Sequence, residues 1–333
     1  MKEILIVGHG LAGAVLAHTL IGKNIDVLVL DKSLPHKASN VAGGIINPFI
    51  GPKLNIPEDF VDCIFHNQRF FREFSKLSGK NFLQQISMLR IFQSSEQKKL
   101  WISKSSSKRF SEYAKKIISR KQLDKAGIES TLGAGETHAH VVKVREFLSC
   151  SESILRERDC WHEGLYKEED WQMARAIVFC EGFRVTNNPW FQQLPFEPAK
   201  GEVLKIKSDC ELYASNGTWH CPQPDHSALV GSTWMHNELL SGPTEGGMNE
   251  IFSKLTFLKK IHNPPLEHKS GIRSGTRDRN PILGCHPDHD RLFIFNGFGS
   301  RGATTIPYYA QQMAKYIIDK NPLASSVSLD RFL

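Results

Sequence analysis

The sequence has no unbroken apolar run of the roughly 18 residues that a membrane-spanning helix needs, so no membrane is expected among its partners. Its opening residues do not set a charged stretch, an apolar stretch and a small-residue cleavage site in order. Met1 is followed almost at once by the strand-like Ile4–Val7, and no secretory leader is expected. Cys-x-x-Cys pairs are absent, and the cysteines number seven: Cys63, Cys150, Cys160, Cys180, Cys210, Cys221 and Cys285. An odd set without paired spacing argues against a disulfide framework and for reduced thiols, hence a cytoplasmic setting. There is no internal repeat and no long low-complexity segment. Acidic residues are scarce in one place. Lys98–Lys125 holds ten Lys/Arg against Glu112 and Asp124, a local charge of +8 in a chain whose total is +7, so the rest is near neutral at −1. Two readings suit such a segment: a solvated helix face, or a surface for a polyanionic partner.

What is present supports a sizeable core. The 333 residues exceed one ordinary domain and fall short of three, and 40% of them are apolar. Ile4–Val7 reads as a buried strand, Leu11–Ile21 as a packed helix and Asp26–Leu30 as a second buried strand. That order within thirty residues implies a parallel pair with a crossover helix. Further along, Phe60, Val61, Ile64, Phe65, Phe71 and Phe74 fall on a helical period, as do Phe110, Ala114, Ile117 and Ile118 within the basic segment. Ser103–Ser107 reads as a polar loop before the latter. Met88–Phe92, Val141–Val144, Ala176–Cys180, Glu202–Ile206, Ala228–Ser232 and Leu292–Asn296 read as strands. Glu146–Arg156, Met248–Ile261 and Tyr308–Asp319 read as helices.

Gly8-His9-Gly10-Leu11-Ala12-Gly13 matches GxGxxG, and it joins the first strand to the first helix, the context that gives this motif meaning. Gly8 permits the tight turn, Gly10 lets the backbone approach a pyrophosphate, and Gly13 lets the helix pack on the strand. The anion then meets the free amides and the dipole of the helix N-terminus. Asp31, 23 residues after Gly8, ends the second strand, where a carboxylate accepts hydrogen bonds from a ribose diol and disfavours a 2′-phosphate. The motif indicates a dinucleotide and does not separate NAD from FAD.

Three later segments do. Val41-Ala42-Gly43-Gly44-Ile45-Ile46-Asn47-Pro48 resembles the second nucleotide loop of the D-amino acid oxidase-like FAD enzymes, which include glycine and sarcosine oxidases and the oxidase module of the bifunctional tRNA wobble-uridine enzyme. Gly271-Ile272-Arg273-Ser274-Gly275-Thr276-Arg277-Asp278 and the following Pro281 and Gly284 resemble that family's G-x-R-x-x-T-x-D-x-x-P-x-x-G run. Asn296-Gly297-Phe298-Gly299-Ser300-Arg301-Gly302 resembles its C-terminal flavin loop. Ile177–Gly182 is similar to its returning strand, and Lys200-Gly201-Glu202 to its K/R-G-x strand start. The likeness covers most of the chain in family order and is weak over about Asn55–His140.

The resemblance implies an α/β fold. An FAD-binding Rossmann-like domain of glutathione-reductase type (1–52, 135–190 and 270–333) would interleave with an α+β substrate domain built on an antiparallel sheet (53–134 and 191–269). It implies FAD held by Gly8, Gly10, Leu11, Ala12, Gly13, Asp31, Lys32, Gly43, Gly44, Asn47, Gly182, Gly297, Phe298, Gly299, Ser300, Arg301 and Gly302. It also implies hydride transfer from a carbon beside an amine to the flavin, with O2 as acceptor. Arg273 is the expected contact for a substrate carboxylate, which a planar guanidinium binds through two hydrogen bonds, and Arg301 is a second catalytic candidate at the flavin edge. The Ser300–Arg301 order looks closer to the tRNA-modifying module than to the small-amine oxidases, and Ser274 replaces a proline common in glycine oxidases. Three functions follow: oxidation of a small amine or amino acid; oxidation of a carboxymethylaminomethyl-uridine of tRNA bound through Lys98–Lys125, with Trp101, Phe110 and Tyr113 as stacking residues; or a non-enzymatic flavin-binding or redox-sensing role. No metal is expected: Cys285, His286, Asp288, His289 and Asp290 surround Pro287 in what reads as a polar hairpin turn. His138 and His140 read as surface residues of a linker, and His9 as pointing to solvent or flavin phosphate. Trp219 and Trp234 read as core packing or as a substrate-stacking wall.

Overall fold

A computed structural model describes residues 2–333. Two sheets organise the chain. The first has six strands in the order Ile282–His286, His289–Asn296, Ala174–Phe179, Lys2–Val7, Val27–Asp31, Trp161–Glu163. All neighbours pair parallel except the first two, which form a hairpin turning at Pro287-Asp288. Ile4 lies opposite Val27 and Ala176, and Val7 opposite Leu30 and Phe179. The stretches Ile4–Val7, Val27–Leu30, Ala176–Phe179 and Leu292–Phe295 of the inner strands are apolar because both faces are covered. On one side lie the helices Leu11–Ile21 and Gly302–Asp319. Val185, Phe191, Leu194 and Leu329 pack on the other.

The helix Phe60–Ser78 buries Phe60, Cys63, Asn67, Phe70, Phe71 and Phe74 on one stripe and ends at Gly79 in the left-handed region (φ 69°), as helix C-termini commonly do. Asn67 ties it to the helix Gly302–Asp319 by donating to the Thr304 carbonyl at 2.6 Å. Val61 and Phe65, on the same period, stay exposed.

The second sheet has nine strands, eight of them in the order Glu267–Arg273, Ala199–Lys207, Ser227–Gly231, Trp219–Gln223, Tyr213–Ser215, Leu83–Ile91, Ala134–Val142, Ile45–Ile46, with Ala114–Ile118 also on Ala134–Val142. It is antiparallel apart from the pairing of Tyr213–Ser215 with Met88–Arg90. Strand periodicity divides its residues cleanly. Leu89, Ile91, Leu204, Ile206, Ala214, Ala228 and Val230 form a core with Ile251 of the helix Glu245–Lys254, while Met88, Val203, Ser215, Trp219 and Arg273 face the first sheet's glycine loops across a cavity. Strand Ala134–Val142 belongs wholly to this sheet, so the expected boundary at 135 falls just inside it.

The basic segment departs from the expected single helix. It folds as the helix Ser95–Lys104, a turn of helix at Lys108–Ser111, the strand Ala114–Ile118 and the helix Arg120–Lys125. Its helical spacing arises from residues of separate short elements. The expected loop at 103–107 begins inside the first helix. His138 and His140 are not in a linker: they stand half-buried in the strand Ala134–Val142. Val144 opens a helix instead of closing a strand, and the last helix starts at Gly302, not Tyr308. The helix expected at Met248–Ile261 runs Glu245–Lys254, its start set by Thr244, whose hydroxyl accepts from the Gly247 amide at 3.1 Å.

Candidate cofactor and substrate site

A cavity of about 510 Å³ runs between the two sheets, within the size range of small-molecule sites. Every residue expected to bind cofactor or substrate lies on its wall except Gly13, Gly297 and Arg301. Gly13 acts from behind. A Cβ there would stand 1.9 Å from the Gly8 carbonyl oxygen, so only glycine lets the helix Leu11–Ile21 meet the strand that carries the loop. The helix begins at Gly10, which has no side chain to cap it; Ser39 supplies the cap, its hydroxyl accepting from the Leu11 amide at 3.0 Å. The next amides of the first turn have no intrahelical partner.

Asp31 accepts from the His9 amide at 2.8 Å and from Lys37 Nζ at 2.5 Å. A carboxylate has further lone pairs for ribose hydroxyls. The His9 ring, expected to point to solvent or to a flavin phosphate, points inward, bonded through Nε2 to Ser151 Oγ at 2.9 Å. Burial pushes its imidazole down to about 3, so at neutral pH it brings no charge to the loop, and the cations at this end are Lys32 and Lys37. Two buried polar atoms on residues of the wall lack a protein partner, the Tyr166 hydroxyl and Arg184 Nε. Burial raises the Tyr166 phenol to about 12. Buried groups of this kind ordinarily have a partner.

Asn296 links three loops. Its Oδ1 accepts from the Ser274 hydroxyl at 2.9 Å and from the Gly297 amide at 2.8 Å, and its Nδ2 donates to the Gly182 carbonyl at 2.9 Å. The residue at the proline position of relatives, Ser274, thus supports the flavin-like loop.

Arg273 ends the strand Glu267–Arg273. Its guanidinium donates to Ser232 Oγ at 2.6 Å and to the Thr233 carbonyl at 3.3 Å, and lies 4.7 Å over the Trp234 ring. No carboxylate pairs with it among the described residues; Asp278, the acid nearest in the motif, pairs with Arg331 at 2.9 Å. Burial pulls the guanidinium down to about 10. Gly201, on the neighbouring strand diagonal to Arg273 and opposite Gly271, makes its room: a Cβ there would meet Arg273 Nη2 at 2.1 Å, and Cζ and Nη1 at 2.4 Å. On the opposite face of the same strand, Glu202 is fully buried, paired with Lys200 at 3.3 Å and His268 at 2.8 Å and accepting from Thr244.

Arg301 turns away from the cavity. Its guanidinium reaches Asp59 at 3.4 Å, and the Tyr309 hydroxyl donates to the same carboxylate at 3.1 Å. It therefore fastens the start of the helix Phe60–Ser78 to the flavin-like loop. The basic segment is also separate from the cavity. Lys99, Lys108, Arg109, Lys115, Lys116, Arg120, Lys121 and Lys125 are exposed, and the one ion pair of the segment among the described residues is Asp124–Lys259 at 2.6 Å. Trp101 and Phe110 are not available for stacking: they are 1% and 3% exposed and pack with Phe49 and Phe92. Trp101 lies over Gly135, where a Cβ would come within 2.5 Å of its ring.

Residues 3–316 match the family described as FAD dependent oxidoreductase. The chain belongs to that family. It is an FAD-dependent oxidoreductase, and the free amides at the helix N-terminus and the tailored glycines fit that cofactor. Glycine oxidase of Bacillus subtilis is 23% identical over 351 residues, covering 96% of this chain and 93% of the relative. The tRNA 5-methylaminomethyl-2-thiouridine biosynthesis bifunctional protein MnmC of Shewanella baltica is 25% identical over 386 residues, covering 94% of this chain and 55% of that protein. Among solved structures, glycine oxidase from Bacillus cereus superposes with a TM-score of 0.78 at 15% identity, over 97% of this chain and 96% of that one. Iminodiacetate oxidase from Chelativorans gives 0.78 at 16% identity, over 98% and 99%.

Lys37, Ser39, Tyr166 and Arg184 escaped the reading of the sequence, and Asn296 entered it only as the first residue of the flavin-like run. The four reach the cavity from loops, and no spacing signals them. The exception is Ser39, which follows the second strand as a polar residue in a loop already marked by Gly43 and Gly44.

Proposed function

We propose that this FAD-dependent oxidoreductase oxidises the C–N bond of a small amine that bears a carboxylate, an amino acid or N-substituted glycine, with O2 as final acceptor. The observation that carries the reading is Arg273: a desolvated guanidinium on the cavity wall, steered by Ser232 and Thr233, with no acid of its own. Two of its five N–H donors are used, so a planar pair remains for a carboxylate. FAD would supply the acceptor for a hydride, which carries both electrons away from the carbon beside a neutral amine nitrogen; the positive charge then appears on the iminium, water hydrolyses the iminium to a carbonyl compound and an amine, and O2 takes the two electrons as hydrogen peroxide. The chain's task is to orient the substrate and exclude water. Lys37, Arg184 and Tyr166 complete the FAD site in this reading, together with the glycine loops, and the unpaired thiols suit a cytoplasmic location.

The test is anaerobic bleaching of the bound flavin by sarcosine, glycine and a panel of amino acids. Arg273→Ala is expected to keep its flavin and to lose about 30- to 4,000-fold in kcat/KM, the 2–5 kcal/mol typical of a broken buried charge pair. Failure of every amine to bleach the flavin overturns the reading in favour of a non-catalytic flavoprotein. A second reading, oxidation of a carboxymethylaminomethyl group on tRNA, is favoured by the eight exposed cations of the Lys98–Lys125 segment. It needs tRNA binding that falls steeply with salt; no affinity at low salt sinks it.

A further inference from the structure

Trp234 is 52% exposed and lines the cavity beside Arg273. The indole is not loose. Its Nε1 donates to His236 Nε2 at 3.0 Å, and His236 Nδ1 donates in turn to the Pro198 carbonyl at 3.2 Å. One ring face carries the Arg273 guanidinium at 4.7 Å. What remains exposed is the rest of a flat indole, fixed in orientation at the rim of the wall that carries Arg273. Trp219, a second indole on the wall, lies against Gly43 and Gly231, where added Cβ atoms would meet its ring at 2.9 Å and 3.1 Å. A glycine-sized substrate would satisfy Arg273 and leave the exposed indole face in water.

We propose that Trp234 is a stacking platform and that the substrate is an α-amino carboxylate carrying a planar aromatic ring within a bond or two of its amine. This rests on the oxidase reading above for the reaction, and on the Arg273–Trp234 geometry for the ring. An aromatic face accepts any flat π-system, and a rigid ring pays little entropy to stack. The ring can be attached through nitrogen, as in an arylmethyl glycine, or through the α-carbon, as in an aromatic amino acid; N-benzylglycine and the two enantiomers of phenylalanine separate these sources.

The flavoenzyme is titrated with phenoxyacetate and with methoxyacetate, which have no C–N bond to oxidise, and binding is read from the flavin absorption spectrum. Phenoxyacetate is expected to bind at least about tenfold tighter, the preference that one stacked ring confers. Trp234→Ala is expected to bring the ratio to within about threefold of unity, and Trp234→Phe to restore most of it. In parallel, flavin reduction by N-benzylglycine and by sarcosine is compared, per mole of bound flavin, in the same three proteins, and the same shift in ratio is expected. A wild-type ratio near unity, or a ratio unchanged in Trp234→Ala, overturns the platform. So does flavin loss in Trp234→Ala with the ligand ratio intact, which assigns the indole to the cofactor. Because the titration needs no turnover, a ring preference that depends on Trp234 in an enzyme no amine can reduce would retain the platform while ending the oxidase reading.

Discussion

Replacing Gly201 by alanine tests the active-site geometry with a single methyl group. The strand Ala199–Lys207 is extended there and Gly201 has no positive φ, so its backbone accepts alanine, and a compatible Gly→Ala change in itself gains about 0.4–1 kcal/mol by restricting the unfolded chain. The difficulty is local. The new carbon would sit 2.1–2.4 Å from three atoms of the Arg273 guanidinium, against the roughly 3.5–4.0 Å of an ordinary contact, so the guanidinium must retreat by more than 1 Å. That retreat breaks its 2.6 Å bond to Ser232 and its stack on Trp234. A misplacement of about 1 Å costs on the order of 100-fold in rate, close to what deletion of the charge would cost. The glycine loops lie elsewhere, so flavin content and the melting temperature are expected to stay near wild type. Anaerobic stopped-flow reduction by sarcosine supplies the rate and its concentration dependence. Wild-type kinetics in a Gly201→Ala protein that holds its flavin would refute the assignment of Arg273 to the substrate.

Gly13→Ala pushes a methyl into the Gly8 carbonyl at 1.9 Å, a backbone atom that cannot swing aside; the purified protein is expected to lack the 450 nm flavin band or to melt well below the parent. Glu202→Gln breaks a fully buried ion pair and should cost about 3–5 kcal/mol in urea unfolding at pH 7. Burial alone would raise the Glu202 carboxyl, but the hydrogen bonds from Thr244, His268 and Lys200 hold it below its ordinary value. Its stabilisation is therefore complete above the ordinary carboxylate range and is lost as pH falls through the lowered pKa, and the Gln variant should lose less on acidification than the parent. If nucleic acid is bound, reversing Lys115 and Lys116 to Glu should flatten the salt dependence by a slope of about 2 or more on a log–log plot, read by filter binding; an unchanged slope removes those lysines from the surface.

The parts legible in the sequence are those whose physics is local or periodic. Strands buried on both faces read as apolar runs, and GxGxxG followed by Asp31 describes a strand, a turn and a helix that occupy adjacent residues. Arg273 was legible through the motif around it. Arg301 was equally visible, but its direction was not: the pull of Asp59, 242 residues away in sequence, decides it. The basic segment failed for the opposite reason. Of the residues read on one helical period, Phe110 belongs to a short helical turn and Ala114, Ile117 and Ile118 to the strand that follows, and a spacing rule that presumes one element mistakes their sum for a helix.

Asn296 has a further consequence for folding. One side-chain amide serves Gly182, Ser274 and Gly297, which follow the strands Ala174–Phe179, Glu267–Arg273 and His289–Asn296. Loops joined at a single buried node do not open independently. Their amides should share one protection factor in native-state hydrogen exchange, and a protease that cuts at one should find the other two at the same rate. Asn296→Ala would split that unit into separately fraying loops, so the residue governs whether the cofactor cleft opens as one body or piece by piece.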